Sequence, residues 1–410
     1  MRRVVVTGIG LVTPLGLDVK SSWEALLAGR SGIGPIERFD ASAFGSRIAG
    51  EVKGFDATKV LPPKEARRFE RYTAYGIAAA TEAMQDAGLA FTGEESDSER
   101  AGVLIGSGIG GLDTKCRDFV SFLEQGPRRI TPFVVPASII NSVSGQLSVL
   151  LHMKGPNFAV ASACTTGLHA IGEASWIIAR DDADIMLAGG TESPIHPLGL
   201  GGFDNIHALS RRNEMPQEAS SPFDLSRDGF VLAEGAGVLV LEEYEHARAR
   251  GAHIYCEIAG YGLCSDAYHF TAPSQEGAER CMRLALKRAK MDAQSVDFLL
   301  AHGTSTPMGD TSEAKAIRAV FGSKADTLVV TSTKGAMGHA LGGAGGIEAA
   351  FTALSLEHQV APATLNLREQ DSQCPIHVCA NTARDMAMRV AMKNNFGFGG
   401  TNASVILKRL

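Results

Sequence analysis

Ala161-Ser162-Ala163-Cys164-Thr165-Thr166-Gly167 is the stretch on which the reading of this chain turns. An apolar run, Phe158-Ala159-Val160, leads into it, and a small-residue run, Leu168-His169-Ala170-Ile171-Gly172-Glu173-Ala174-Ser175, leads away. The pattern predicts strand, tight turn and helix, with Cys164 at the turn. Backbone N–H groups at a helix N-terminus lack intrahelical partners and carry partial positive charge. A thiolate placed there is stabilised, so the pattern predicts a lowered thiol pKa and a nucleophile ready near neutral pH. The small flanking residues leave room for a substrate carbonyl beside the sulfur. The same stretch also fits a buried structural thiol, the common fate of a free cysteine.

Composition narrows the choice. The chain has 410 residues, 45% hydrophobic and 20% charged, which fits a soluble globular protein with a large core, in two or three domains or in repeated halves. A net charge of -6 argues against a bulk electrostatic grip on nucleic acid. No stretch approaches 18 consecutive apolar residues, so no membrane span is expected. The seven cysteines are odd in number, scattered and without a CxxC pair, which predicts a reducing cytoplasm, no disulfide framework and no metal site.

Working outward, strands are expected at residues 3–8, 101–107, 183–191, 235–241, 255–261, 296–301, 328–332, 390–394 and 403–408. Helices are expected at 21–27, 64–87, 133–153, 242–250, 277–289 and 312–321, and from the Lys334 turn to about 356. Residues 195–225 read as an irregular Gly/Pro/Ser-rich excursion. Gly106-Ser107-Gly108-Ile109-Gly110-Gly111 superficially resembles a dinucleotide fingerprint, but its last spacing is wrong and no acidic residue ends a second strand about 20 residues on. It is read as a tight turn beside a pocket, and Gly8-Ile9-Gly10 as a weaker case still. Two halves, 1–251 with the cysteine and 252–410 with two turn histidines, repeat strand, polar turn and small-residue helix. This predicts a duplicated α/β fold with a mostly parallel sheet and both turns on one side of it.

His302 ends a strand and is followed by Thr304 and Thr306, whose alternation faces both hydroxyls the same way. His339 follows Lys334 by five residues in a glycine-rich turn that opens a helix. One cysteine, two histidines and a lysine point to acyl chemistry. A thiolate attacks a thioester, and neutral imidazoles donate hydrogen bonds to an oxyanion or enolate. A papain-like reading is open, but it leaves two histidines and a lysine unexplained.

With these motifs in view, the chain resembles the β-ketoacyl-[acyl-carrier-protein] synthases of the thiolase superfamily, in the elongation branch of bacterial type II fatty acid synthesis. The resemblance runs from Val5-Val6-Thr7-Gly8-Ile9-Gly10 to Asn395-Phe396-Gly397-Phe398-Gly399-Gly400-Thr401-Asn402, through the cysteine motif, Ala301-His302-Gly303-Thr304-Ser305-Thr306-Pro307, Lys334 and Gly338-His339. It implies a five-layer αβαβα fold and a homodimer. It implies an acyl-accepting Cys164, an oxyanion hole from the N–H groups of Cys164 and Phe398, and an enolate site at His302 and His339. It implies that Lys334 orients the site with Glu348 as partner, and that Asp310 supports the His302 loop. Thr304 and Thr306 would hold the phosphopantetheine arm, Phe398 would gate the acyl pocket, and Ile109 and Phe203 would line it. Phe396 and Thr271, the latter in a second loop at 265–271, join the expected substrate contacts. Neither metal nor redox cofactor is implied.

The partner implied is an acyl carrier protein, loaded with acyl or malonyl groups. Carriers are acidic, so Lys64, Arg67, Arg68, Arg128 and Arg129 are read as a basic dock near the pocket mouth. The family commonly has arginine where His207 stands, and Ser-Met-Thr where Gly335-Ala336-Met337 precede Gly338. A secondary-metabolite ketosynthase of the same chemistry is the alternative. A degradative thiolase is disfavoured because Gly397-Phe398-Gly399-Gly400 offers no second cysteine, and a non-catalytic subunit because Cys164 is intact.

Overall fold

Two strands with the same glycine spacing meet at the centre of the molecule. In the first, Val4–Val12 (β1), Gly8 and Gly10 lie against a helix, Arg71–Asp86 (α1). A Cβ on Gly8 would sit 2.2 Å from the carbonyl oxygen of Ala83, and one on Gly10 1.8 Å from that of Ala79. In the second, Cys256–Ser265, Gly260 and Gly262 meet Ala285 and Cys281 of the helix Gln275–Ala289 in the same way, at 2.5 and 2.2 Å. These glycines exist to let helix and strand backbones touch. They therefore do not end the first strand at residue 8, as expected, but let it run on to Val12.

The computed structural model describes residues 1–92 and 96–410. Its main sheet has ten strands: β1, β2 (Ala101–Gly106), β3 (Asn157–Phe158), β4 (Ile185–Glu192), β5 (Gly235–Glu243), β6 (Cys256–Ser265), β7 (Phe298–Leu300), β8 (Val329–Thr331), β9 (Val390–Gly397) and β10 (Thr401–Lys408). Their order is β8-β7-β9-β10-β6-β1-β5-β4-β2-β3. From the central antiparallel β1–β6 contact outward, each side reads antiparallel, antiparallel, parallel, parallel. The sheet is thus mixed, which corrects the expectation of a mostly parallel one. The three-residue Phe398-Gly399-Gly400 link between β9 and β10 is too short for a crossover and forces a hairpin.

Five layers result. The helix α1 packs on the outer face of the first half-sheet. The helices Thr166–Ala179 (α3) and Ala344–His358 (α6) fill the space between the half-sheets. Gln275–Ala289 (α4) and Pro307–Phe321 (α5) cover the second half-sheet. The helix α6 is buried from Ala344 to Leu356, as an all-round small and apolar sequence requires. Both central helices are entered through a 3-10 turn: Ala163–Thr165 before α3 and Leu341–Gly343 before α6. The first residue of each turn is left-handed, Ala163 at φ +51° and Leu341 at φ +45°.

Three further expectations change. The helix expected at 64–87 is two, Pro63–Ala66 and α1, because Glu70 turns its carboxylate inward to accept from the Thr114 N–H at 2.5 Å. That contact caps the first turn of Leu112–Gln125 (α2), a helix the sequence pattern did not disclose. The segment at 133–153 also divides, into Val134–Ser138 and Ser142–Leu150. The excursion at 195–225 contains a helix, Pro197–Asn205, started by Pro197 and a His196 cap.

Candidate active site

The left-handed Ala163 swings Cys164 out of the strand line and into the last residues before α3. The Thr166 hydroxyl fixes the turn, donating to the Ala163 carbonyl at 2.8 Å and accepting from the Ser162 N–H at 2.9 Å. The β9–β10 hairpin approaches so closely that a Cβ on Gly397 would lie 3.1 Å from the Cys164 nitrogen. This brings the N–H of Phe398 and that of Cys164 to the sulfur together. The environment corrects one expectation. Burial pushes the Cys164 thiol up to about 12, against the lowering by Lys334 and the two N–H groups, with Glu192 adding to the rise. The resting thiol is neutral at pH 7, because a helix terminus contributes at most ~2 kcal/mol against desolvation.

His302 and His339 come from the other half. The Cys164 sulfur and a nitrogen of each imidazole all lie within 4.8 Å of one another. The two rings are edge to face, with centroids 5.2 Å apart. Burial, with the charges of Lys334 and Lys393, holds both imidazoles well below 6.5, so both are neutral. The amide of Asn395 faces His302 Nδ1 at 3.2 Å and a Glu348 carboxylate oxygen at 3.3 Å. That carboxylate can only accept, so the amide nitrogen faces both groups. Nδ1 is then the acceptor, and Nε2 of His302 keeps its proton. His339 is 2% exposed, and neither ring nitrogen has a hydrogen-bond partner among the described residues. A thiol and two imidazoles also match a zinc donor set. The positive potential of two lysines that keeps the rings neutral opposes a divalent cation there.

Beneath the histidines lies a fully buried charge cluster. Lys334 Nζ donates to the His302 carbonyl at 2.6 Å and to Glu348. Lys393 Nζ reaches the other Glu348 oxygen at 2.8 Å and the Ala301 carbonyl at 3.2 Å. Glu313 accepts from the N–H groups of His302 and Gly303 at 2.9 and 2.7 Å. Asp310 accepts from the Ser305 N–H at 3.1 Å and from the Phe223 N–H at 2.8 Å, which pins the same loop. The glycine-rich loop after β2 wraps a carboxylate of its own chain. Glu192 takes the Ser107 hydroxyl at 2.6 Å and the N–H groups of Gly108, Ile109 and Gly342 at 2.7, 3.2 and 3.0 Å. A loop whose N–H groups already hold an internal anion has none left for a pyrophosphate.

A cavity of about 480 Å³ opens over these groups. Phe203, Phe230, Phe396 and Phe398 line it, with Cys164, both histidines, Thr304, Thr306 and Thr271. The Thr304 and Thr306 hydroxyls are 2.9 Å apart. The Phe203 ring lies 6.4 Å from that of Phe398. Ile109, expected to line the pocket, is not among its lining residues; it packs against the same apolar cluster as Cys164 and Phe203.

The family model described as "Beta-ketoacyl synthase, N-terminal domain" matches residues 1–247, and "Beta-ketoacyl synthase, C-terminal domain" matches 255–368. The 3-oxoacyl-[acyl-carrier-protein] synthase 2 of Vibrio harveyi is 49% identical over 412 aligned residues, covering 100% of this chain and 99% of the relative. The chain belongs to the β-ketoacyl synthase family. A crystal structure of a β-ketoacyl synthase from Burkholderia phymatum superposes with a TM-score of 0.93 at 38% identity, covering 100% of both chains. A type II polyketide ketosynthase, solved with its acyl-carrier protein and a bound hexaketide, gives 0.92 at 34% identity, covering 100% of this chain and 99% of that one. The fold is therefore the thiolase-like one.

Within this β-ketoacyl synthase, the five basic residues read as a dock do not reach the mouth. None lines the Cys164 cavity. Arg67 and Arg68 line a separate groove with Arg38, Arg71 and Arg117, while Lys64 and the turn residues Arg128 and Arg129 are exposed. His207 does line the mouth, left-handed at φ +55°, with its Nδ1 taking a hydrogen bond from Arg211 at 3.2 Å. Glu192, Glu313, Lys393 and Asn395 are the site residues that motif reading missed. For Lys393 a signal existed: a lysine inside the buried strand Ala391-Met392-Lys393-Asn394.

Proposed function

We propose that the chain lengthens acyl chains by decarboxylative Claisen condensation on an acyl carrier protein. The observation that carries this is the meeting of Cys164 with two neutral, buried imidazoles, one of them without a hydrogen-bond partner among the described residues. In the first step Cys164 attacks an acyl thioester. The N–H groups of Cys164 and Phe398 hold the oxyanion, and the pantetheine thiol leaves. The proton lost by Cys164 ends on that leaving sulfur, with an unpartnered His339 nitrogen as the relay. A malonyl thioester then enters, and its carbonyl oxygen takes hydrogen bonds from His302 Nε2–H and His339. Carbon–carbon cleavage releases carbon dioxide and leaves an enolate, which these donors stabilise. The enolate carbon attacks the acyl carbon on Cys164. Collapse expels the Cys164 thiolate, which takes a proton from solvent to restore the neutral thiol, and frees a carrier-bound 3-oxoacyl product two carbons longer. Lys334 and Glu348 fix the His302 backbone, and Asp310 fixes the loop that carries Thr304 and Thr306 toward the phosphopantetheine arm. Phe398, Phe203, Phe396, Ile109 and Thr271 shape the acyl channel.

The partners are acyl- and malonyl-loaded carriers and a second copy of this chain. The groove of Arg67 and Arg68, with the exposed Lys64, Arg128 and Arg129, offers the acidic carrier a basic surface apart from the cavity mouth, not at the mouth itself. The seven unpaired cysteines fit a cytoplasmic setting. The test is intact mass after incubation with acyl-carriers of several lengths, then malonyl-carrier. An adduct on Cys164 that discharges as the two-carbon-longer product is expected, and Cys164→Ser removes it. No adduct with any straight chain, but one with a branched or polyketide starter, would move the chain to the polyketide alternative.

A further inference from the structure

One histidine beside the nucleophile has no task in the condensation. His169, in the first turns of α3, bridges two segments that each supply one oxyanion donor. Its Nδ1 lies 2.6 Å from Ser162 Oγ, and its Nε2 3.3 Å from the carbonyl oxygen of Asn402. That carbonyl can only accept, so Nε2 carries the proton. Burial keeps the ring neutral, which leaves Nδ1 as the acceptor of the Ser162 hydroxyl. A second stitch runs alongside. Thr401 Oγ1 donates to the Ser162 carbonyl at 3.0 Å and contacts Thr165 Oγ1 at 2.7 Å. Asn402 is itself held, its side-chain amide donating to Asp266 at 2.6 Å.

Ser162 is thus gripped at hydroxyl and carbonyl immediately before the left-handed Ala163. A non-glycine residue in that conformation costs on the order of 1–2 kcal/mol and persists only when its surroundings hold it. The cysteine turn bears one oxyanion donor, the Cys164 N–H. The hairpin that His169 ties to it bears the other, the Phe398 N–H. His302 of the enolate site is held by other contacts: its carbonyl by Lys334, which pairs with Glu348, and its ring by Asn395 of β9.

We propose that His169 is a positioning residue: the Ser162–His169–Asn402 bridge sets the spacing of the Cys164 and Phe398 N–H groups, and so governs the rate of acyl transfer to Cys164 but not the binding of the carrier. This rests on the condensing reading of the site. The test compares the parent with His169→Ala and with Ser162→Ala, which removes a single hydrogen bond and stands in should His169→Ala not fold. Two rates are measured: single-turnover acylation of Cys164 across acyl-carrier concentrations, followed by intact mass, and alkylation of Cys164 by iodoacetamide, which needs no oxyanion hole. Both variants should lose roughly 10- to 100-fold in the saturating acylation rate, less than loss of a whole oxyanion donor. The half-saturating concentration and the alkylation rate should stay within about two-fold of the parent, the span of an unperturbed surface change. Acylation at the parental rate overturns the proposal. So does a loss accompanied by faster alkylation, which would mark a loosened turn in place of a mis-set donor. A parent that forms no adduct would overturn the condensing reading itself, and this inference with it.

Discussion

Cys164 sits in a site where desolvation and charge pull its thiol in opposite directions, and desolvation is the stronger. With the pKa pushed up to about 12, the thiolate fraction rises tenfold per pH unit through the neutral and alkaline range. Iodoacetamide alkylation of the free enzyme should therefore climb with pH from 7 to 10 without levelling, and a plateau below pH 8 would contradict the burial argument. The histidines make the opposite prediction. Both are held well below 6.5, so carbon dioxide release from malonyl-carrier should show no titration near that value, as read from a pH–rate profile. Glu348 compensates two fully buried ammonium groups. Glu348→Gln strands them and should cost about 3–5 kcal/mol in urea unfolding, as expected when one partner of a buried charge cluster is removed.

Among the elements, the close helix–strand contacts give a matched pair of tests. Gly262→Ala puts a Cβ 2.2 Å from the Cys281 carbonyl, a backbone atom that cannot swing aside. It should destabilise by about 1–3 kcal/mol or more. Gly202, in the helix Pro197–Asn205, has nothing within 4 Å of such a Cβ among the described residues, and Gly202→Ala should stabilise by up to about 1 kcal/mol in the same assay. These glycines also explain what could be read in advance. Strand cores such as Val4-Val5-Val6 and polar turns such as that of His302 announce themselves by pattern. The repeat of Gly8-Ile9-Gly10 as Gly260-Tyr261-Gly262 was equally present in the chain, but its meaning lies in the helix each strand touches. The same holds for the site. Cys164, His302, His339 and Lys334 stand in glycine-flanked turns and are legible. Lys393 and Glu192 are embedded in buried strands, and only the fold shows what they face. The raised thiol was illegible for the same reason, since its surroundings are supplied by residues distant in sequence, from both halves.

Taken whole, the molecule presents an apolar face that one chain leaves open. Phe119 and Leu123 of α2 are 61% and 66% exposed, with Phe122, Val135, Val149 and Phe158 also exposed. Phe158 belongs to β3, an edge strand of the main sheet. A bare edge beside large apolar side chains is the situation that pairing with a second copy resolves. We expect a dimer by sedimentation, and a Phe119→Asp/Leu123→Asp variant to sediment as a monomer. A wild-type monomer at micromolar concentration would reject that assignment. The two left-handed turns divide their labour. Cys164 and Gly342 hold the same place in two copies of one structural device, and the two copies have taken on unlike duties. One presents the Cys164 sulfur. The other has a bare backbone N–H that secures Glu192. Neither turn can stand in for the other, so a substitution at one is felt at the sulfur and at the other in the loop that Glu192 gathers.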